Sequence, residues 1–447
     1  MTREERIRLA LSVATDTKEF VMGSGASAQA PALFKTYFPD KKALIVTDSY
    51  TWQVLGEKVS GLFCGEGIPT SSYIFQEKAV PAEWRSVELV DSLLDKEPEA
   101  VLVAVGSGVI NDLCKLSSYH HGQSYLTLPT AASVDGYSSC GASISYEGAK
   151  QPFPCPAPGI IVADLDVIAA APATMTAAGY ADLAAKVPAG AEWMIADFVG
   201  TDPVHADAWH VLQDNLDVFL SRPGAVAAGD PEAIADVFEG LTLSGIAMQA
   251  ARSSRPASCS DHLFSHILDM TGHRYNGKTV SHGFQVAVGT LAMCAVFDEF
   301  LKLDLQNLDV EACVAAWPSL EREQERALEL FKDFPVPMLG YNEITKKYAP
   351  ASVVREELSK LKTCWPAFRQ RLQAQVYPYE KMHALLKAAG APADPADIGL
   401  PRERLKAMFP LVQMMRYRYT LLDLAKQGCF YDKIVDPLFA KGGVFEL

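Results

Sequence analysis

Apolar residues fall in short continuous runs through the first third of the chain and at helical spacing through most of the rest. Residues 43–47, 72–75, 100–105 and 125–128 are strand-length runs rich in Val, Ile, Leu and Tyr, and turn-forming or polar residues follow them. Between them, residues 50–62, 82–95 and 109–120 place apolar side chains three and four apart, the spacing of a helix with one buried face. Strands apolar on both faces that alternate with such helices predict a parallel sheet covered on both sides. A stretch rich in Pro and Gly over 147–159 reads as a loop, and residues 160–163 as one last strand.

After Asp166 the texture changes. Ala- and Leu-rich segments of helical period run to the end, and strand signals nearly vanish. The boundary falls between 165 and 175, which predicts an α/β domain over 1–168 and an all-α domain over 169–447. In a parallel sheet of this kind ligands gather beyond the carboxyl ends of the strands. Asp48, Gly106 and Thr130 all sit at such ends.

A chain of 447 residues with 49% hydrophobic and 21% charged residues can bury a large core, and two domains are the natural expectation. Its formal net charge of −14 argues against a nucleic-acid partner. A small anionic ligand stays possible, because backbone amides at a helix start can override the global sign. The nine cysteines are scattered, with no CxxC pair, which suits a reducing compartment better than a disulfide framework. Residues 1–17 lack the apolar core of a signal peptide, and no run approaches the length of a membrane span. A soluble cytoplasmic protein is expected.

The chemistry concentrates in the second half. In Asp261-His262-Leu263-Phe264-Ser265-His266 the two histidines are four apart and share one helix face, and Ser281-His282-Gly283 follows a turn-like segment, 274–278. With Asp182, which lies just after Gly179-Tyr180 and looks like the start of a helix, these residues form an N/O donor set suited to a divalent metal with positions left open. An isolated Asp at that place would read as a helix cap, and His273 reads as a surface residue. Val105-Gly106-Ser107-Gly108 leads from a strand into a helix, where glycines let the backbone approach a phosphate; the spacing is not that of the usual dinucleotide fingerprint. Gly23-Ser24-Gly25 reads more simply as a turn. Asp48 suits either a ribose hydroxyl or a helix cap, and Asp135 sits in a small hydroxyl-rich loop over 129–139.

Three blocks, over 106–115, 129–136 and 178–186, together with Glu192-Trp193, His262-x-x-x-His266, Leu268-Asp269-Met270 and Ser281-His282-Gly283, resemble the sn-glycerol-1-phosphate dehydrogenases. That family lies within the superfamily of iron-containing alcohol dehydrogenases, glycerol dehydrogenases and dehydroquinate synthases. The resemblance implies a Rossmann-like α/β domain followed by an all-α metal-binding domain, as in dehydroquinate synthase. It implies Asp182, His262 and His282 as ligands of one divalent metal ion (zinc, nickel or iron), His266 facing the substrate, and Asp135 binding it. Gly106, Ser107, Gly108, Val109, Ile110, Thr130, Ser133 and Ser139 would line NAD or NADP, with Asp48 at the adenosine ribose. The implied reaction reduces dihydroxyacetone phosphate to sn-glycerol 1-phosphate; an unphosphorylated polyol or secondary alcohol is the alternative substrate, and a dehydroquinate-synthase-like cyclisation a more distant one. The family also implies a homo-oligomer. Ser107 replaces the middle glycine of the family turn, which is tolerable where its φ is negative, and the chain beyond about residue 330 reads as a C-terminal extension.

Overall fold

The computed structural model describes residues 1–77, 79–147 and 149–447. Its strands up to residue 164 are β1 (Glu19–Gly23), β2 (Lys42–Asp48), β3 (Thr70–Phe75), β4 (Ala100–Gly106), β5 (Leu126–Pro129), β6 (Ala142–Tyr146), β7 (Ala149–Phe153) and β8 (Ile160–Asp164). Six of them make one parallel sheet in the order β1-β8-β5-β4-β2-β3. Alternate residues of a strand point to opposite faces, and here both faces are apolar. Leu44, Val46, Leu102 and Ala104 pack with Val87, Val90 and Leu113 on one side. Ala43, Ile45, Val101, Val103 and Val105 pack with Phe34, Val59 and Phe63 on the other. That double burial is why the strands read as unbroken apolar runs.

Three strands, β1, β6 and β7, escaped the sequence pattern. β1 is a sheet-edge strand whose residues are mostly half-buried, so its alternation is weak. β7 lies in the stretch expected to be a loop: it pairs antiparallel with β6, and Pro152 sits opposite Ser143. A two-stranded ribbon has an open edge along each strand, which tolerates a residue without an N–H. Further on, Arg274–Tyr275 and Lys278–Thr279 form a second ribbon across Asn276 (φ 50) and Gly277 (φ 74), the left-handed pair that a tight hairpin turn requires. His273, expected at the surface, is buried, with Nε2 on the Ile398 carbonyl at 2.8 Å.

By packing, the chain divides into two compact units of discontinuous sequence. One comprises Met1–Leu183, His205–Pro256 and Ala388–Gly390; the other comprises Ala184–Val204, Ala257–Lys387 and Ala391–Leu447. This partition differs from the change in texture near residue 165, because helix Pro231–Ala251 belongs with the sheet. Its buried Glu239 accepts from Arg6 of helix Arg3–Val13 at 2.6 and 2.8 Å, and its Gln249 donates to Thr17 and to the Ser138 carbonyl. In the second unit, helix His282–Phe300 is long and apolar enough to span a membrane by length and composition, a run that the sequence reading passed over. Within its most apolar window 83% is buried inside the protein, as in a core helix. None of the nine cysteines is in a disulfide.

Glu357, on helix Ala351–Gln375, is buried, and its Oε2 has no hydrogen-bond partner. Burial pushes its carboxyl up from an ordinary 4.5 to about 7. The folded chain then binds more protons than the unfolded chain between those values, so this group lowers stability as pH rises through that window. Glu357→Gln removes the penalty. Thermal melts at pH 8 and pH 5 are expected to show a larger gain, relative to the parent protein, at pH 8; an equal change at both would refute the linkage.

Candidate active site

The sheet order reverses around β2, which has β3 on one side and β4 on the other. Open parallel sheets bind ligands beyond the carboxyl ends at such a reversal. Asp48 ends β2 and Gly106 ends β4, so two of the expected cofactor positions sit at the reversal. Ser107 has φ −83, so the backbone there accepts a side chain and the departure from glycine costs nothing. Helix Gly108–His120 starts immediately after, and its first amides face the same end of the sheet. Gly106 is required by the protein's own packing: a Cβ would meet the Ile110 Cβ at 2.7 Å. Asp48 does cap a helix, Oδ1 accepting from Tyr50 N at 2.9 Å and Thr51 N at 2.8 Å. The turn at Gly23-Ser24-Gly25 is held by carboxylates, with Gly25 N donating to Asp164 and Asp166 at 3.1 Å each. An anion would find that turn already occupied by negative charge.

The loop after β5 is fixed from three helices. Thr130 N donates to the Gly106 carbonyl at 3.1 Å, and Ser133 Oγ lies 3.2 Å from the Tyr137 hydroxyl. Ser133 and Ser139 are both buried. Asn111 and Lys115, one helical turn apart, both donate to the Gly136 carbonyl, at 3.0 and 2.7 Å. Asp135 accepts at Oδ2 from Ser244 Oγ at 3.0 Å, and its N–H donates to Asp182 Oδ2 at 3.0 Å. Asn111, Lys115, Ser244 and Gln249 were not singled out from the sequence. The first two were legible as a pair at i and i+4, whereas the others come from a helix more than a hundred residues away.

Asp182 does not begin a helix as expected. It lies in the last turn of Ala173–Ala184 with no exposed surface. One turn earlier, Gly179 meets the loop so closely that a Cβ would stand 2.0 Å from the Ala132 carbonyl oxygen. Gly179→Ala must push the loop away from the helix, and overpacking of this kind costs about 1–3 kcal/mol. Urea unfolding is expected to show that loss; unchanged stability would mean that the loop yields freely.

Helices Ser260–Met270 and His282–Phe300 carry the imidazoles, whose ring centroids are 5.3 Å apart. His262 Nδ1 makes a short hydrogen bond to Asp261 Oδ2. An acceptor carboxylate on Nδ1 selects the tautomer with the proton there, which leaves the lone pair on Nε2. His282 reaches the same state through a relay. Gln285 Nε2 donates to Asp269 Oδ1 at 2.9 Å and to the Val280 carbonyl at 3.1 Å, which fixes Oε1 as an acceptor. Ser265 Oγ therefore donates to Gln285 Oε1 at 2.9 Å and accepts from His282 Nδ1 at 3.1 Å. Backing of this sort orients a metal-binding histidine and raises its basicity.

Ligand atoms of Asp182, His262 and His282 lie within 4.8 Å of one another. One carboxylate and two lone-pair nitrogens are the donor set of an open divalent-metal site. His266, half-buried and one turn beyond His262, is outside this group. Ser265→Ala breaks the relay to His282 and is expected to weaken metal affinity roughly 10- to 100-fold. A chelator-competition titration measures this; an unchanged affinity would exclude the relay as a determinant.

A Rossmann-like parallel sheet followed by helices bearing this donor group marks a metal-dependent enzyme, and similarity to known proteins gives its class as an NAD(P)-linked dehydrogenase. Residues 21–172 match the family of iron-containing alcohol dehydrogenases. A glycerol-1-phosphate dehydrogenase of Halalkalibacterium halodurans is 30% identical over 294 residues, 65% of this chain and 73% of that protein. Another, from Pyrococcus furiosus, is 30% identical over 276 residues, 62% of this chain and 77% of that protein. The chain belongs to the iron-containing alcohol dehydrogenase superfamily and is related to its glycerol-1-phosphate dehydrogenases. It carries a divalent-metal site and the NAD(P)-linked alcohol or polyol oxidoreductase chemistry of that family. The structure of a glycerol dehydrogenase from Schizosaccharomyces pombe aligns with a TM-score of 0.60 at 16% identity, over 95% of this chain and 90% of that one. This is a likeness of fold alone, but its span leaves most of the helices beyond residue 330 within the common architecture rather than in an extension.

Proposed function

We propose that the protein catalyses the reversible NAD(P)H-linked reduction of dihydroxyacetone phosphate to sn-glycerol 1-phosphate. The observation that carries this reading is the 30% identity over 294 residues to a glycerol-1-phosphate dehydrogenase. In this reading Asp182, His262 and His282 hold the metal, which zinc, nickel or iron can supply, since two imidazoles and a carboxylate suit each of them. When bound, the metal contributes Lewis acidity toward the carbonyl or alkoxide oxygen, and the nicotinamide contributes the hydride.

The remaining roles belong to side chains. Asp135, oriented by Ser244, accepts a substrate hydroxyl. His266 moves the proton to or from the oxygen that becomes the secondary alcohol, because an imidazole titrates near neutral pH. Gly106, Ser107, Gly108, Val109 and Ile110 receive the pyrophosphate at the helix start, while Thr130, Ser133 and Ser139 line the nicotinamide side. Asp48 holds the adenosine ribose, its Oδ1 oriented by the cap, and a carboxylate at that point favours NAD over NADP.

The test is NADH oxidation by metal-loaded protein with dihydroxyacetone phosphate and with dihydroxyacetone, beside NAD+ reduction with glycerol. Turnover with the phosphorylated ketone alone, lost on chelation, is the expected result. Turnover confined to unphosphorylated compounds would move the assignment to a polyol dehydrogenase. His266→Ala is expected to keep stoichiometric metal and lose turnover at least about 100-fold; parental turnover would remove His266 from the proton path.

A further inference from the structure

Glu192, on helix Lys186–Val199, has no exposed surface, yet its carboxylate takes no part in the reaction described above. Three of the hydrogen bonds it accepts come from two helix starts. Oε1 takes the Ser260 hydroxyl at 2.8 Å and the Leu421 amide at 2.9 Å; Oε2 takes the Ser260 amide at 2.9 Å. Ser260 and Leu421 are the first residues of helices Ser260–Met270 and Leu421–Gln427. One negative charge thus meets the positive ends of two helix dipoles.

What this fixes is the approach to His262. Ser260 is followed by Asp261, whose Oδ1 accepts from the Cys259 amide at 3.2 Å while Oδ2 holds His262 Nδ1. The backbone on either side of Ser260 therefore sets the plane of the carboxylate that orients the ring. The opposite flank cannot give way, because a Cβ on Gly289 would stand 2.1 Å from the Asp261 carbonyl oxygen. The strap that brings Leu421 is itself held: Arg418 donates to the Ser258 carbonyl, and Asp423 accepts from Thr420 N at 2.9 Å and from Gln413 at 2.7 Å.

We infer that Glu192 is a positioning residue of the metal centre, tying the C-terminal strap and the His262 helix into one frame that aims Nε2 of His262. The inference rests on the proposed metal site and assigns a task to the helices beyond residue 330. Glu192→Gln keeps the volume but presents an NH2 group to donors that need an acceptor.

The experiment titrates metal-stripped full-length protein with Co2+, following its visible ligand-field bands and calorimetric affinity, for the parent, Glu192→Gln, Ser260→Ala and His262→Ala. In folded Glu192→Gln, affinity is expected to fall about 10- to 100-fold, the usual effect of losing an orienting partner, with altered band intensities. Ser260→Ala, which loses only the hydroxyl bond, is expected to shift both readouts less and in the same direction. Parental affinity and bands in folded Glu192→Gln overturn the inference, and if that variant does not fold, parental behaviour of Ser260→Ala does so. Co2+ binding to the parent that His262→Ala leaves intact would overturn the metal reading itself, and the inference with it.

Discussion

Asp182 has no exposed surface, and taking a carboxylate out of water costs several kcal/mol unless hydrogen bonds or opposite charge replace the solvent. Much of the surrounding structure answers that requirement. The Asp135 amide donates to Asp182, and it can do so because Gly179 lets the loop after β5 approach the Asp182 helix backbone to backbone. The loop is held there by Asn111 and Lys115 from one helix and by Ser244 and Gln249 from another. The same contacts that keep a buried charge satisfied also hold Asp135 in a fixed orientation. Packing and chemistry are met by one set of hydrogen bonds.

The imidazoles are treated in the same spirit. Each donates from Nδ1 to a group that is itself anchored, Asp261 in one case and Ser265 backed by Gln285 in the other. Both rings thus present a lone pair on Nε2 beside a buried carboxylate. A divalent cation balances such a set electrostatically. Anchoring each ring through a fixed partner is a form of preorganisation, which makes an electrostatic site more effective.

Much of this was legible in the residues. The sheet strands were visible because both their faces are buried, and the His262 helix because its histidines and apolar positions keep a helical period. β7 was hidden by its prolines, and β1 by an edge position that leaves little alternation to detect. Of the candidate site, the donor residues were named from sequence blocks, while Asp261, Ser265, Asp269 and Glu192 stood in those blocks without a supporting role. Ser244, Gln249 and Glu192 lie far along the chain from what they hold, so no local spacing could point to them. Asp182 was placed at the wrong end of its helix, since an Asp after Gly-Tyr reads as a cap until burial is known. His273 was misjudged because composition does not reveal what covers a side chain, whereas the apolar helix His282–Phe300 was visible in length and composition and was passed over.

X-ray absorption at the metal edge of zinc-loaded protein tests the central claim most directly. The donor set predicts two imidazole nitrogens and carboxylate or water oxygens at about 2.0–2.2 Å, with no sulfur. The imidazole contribution should disappear when His262 and His282 are both replaced by Ala. A sulfur shell at about 2.3 Å, or an imidazole signal that survives the double replacement, would place the metal elsewhere and contradict the account.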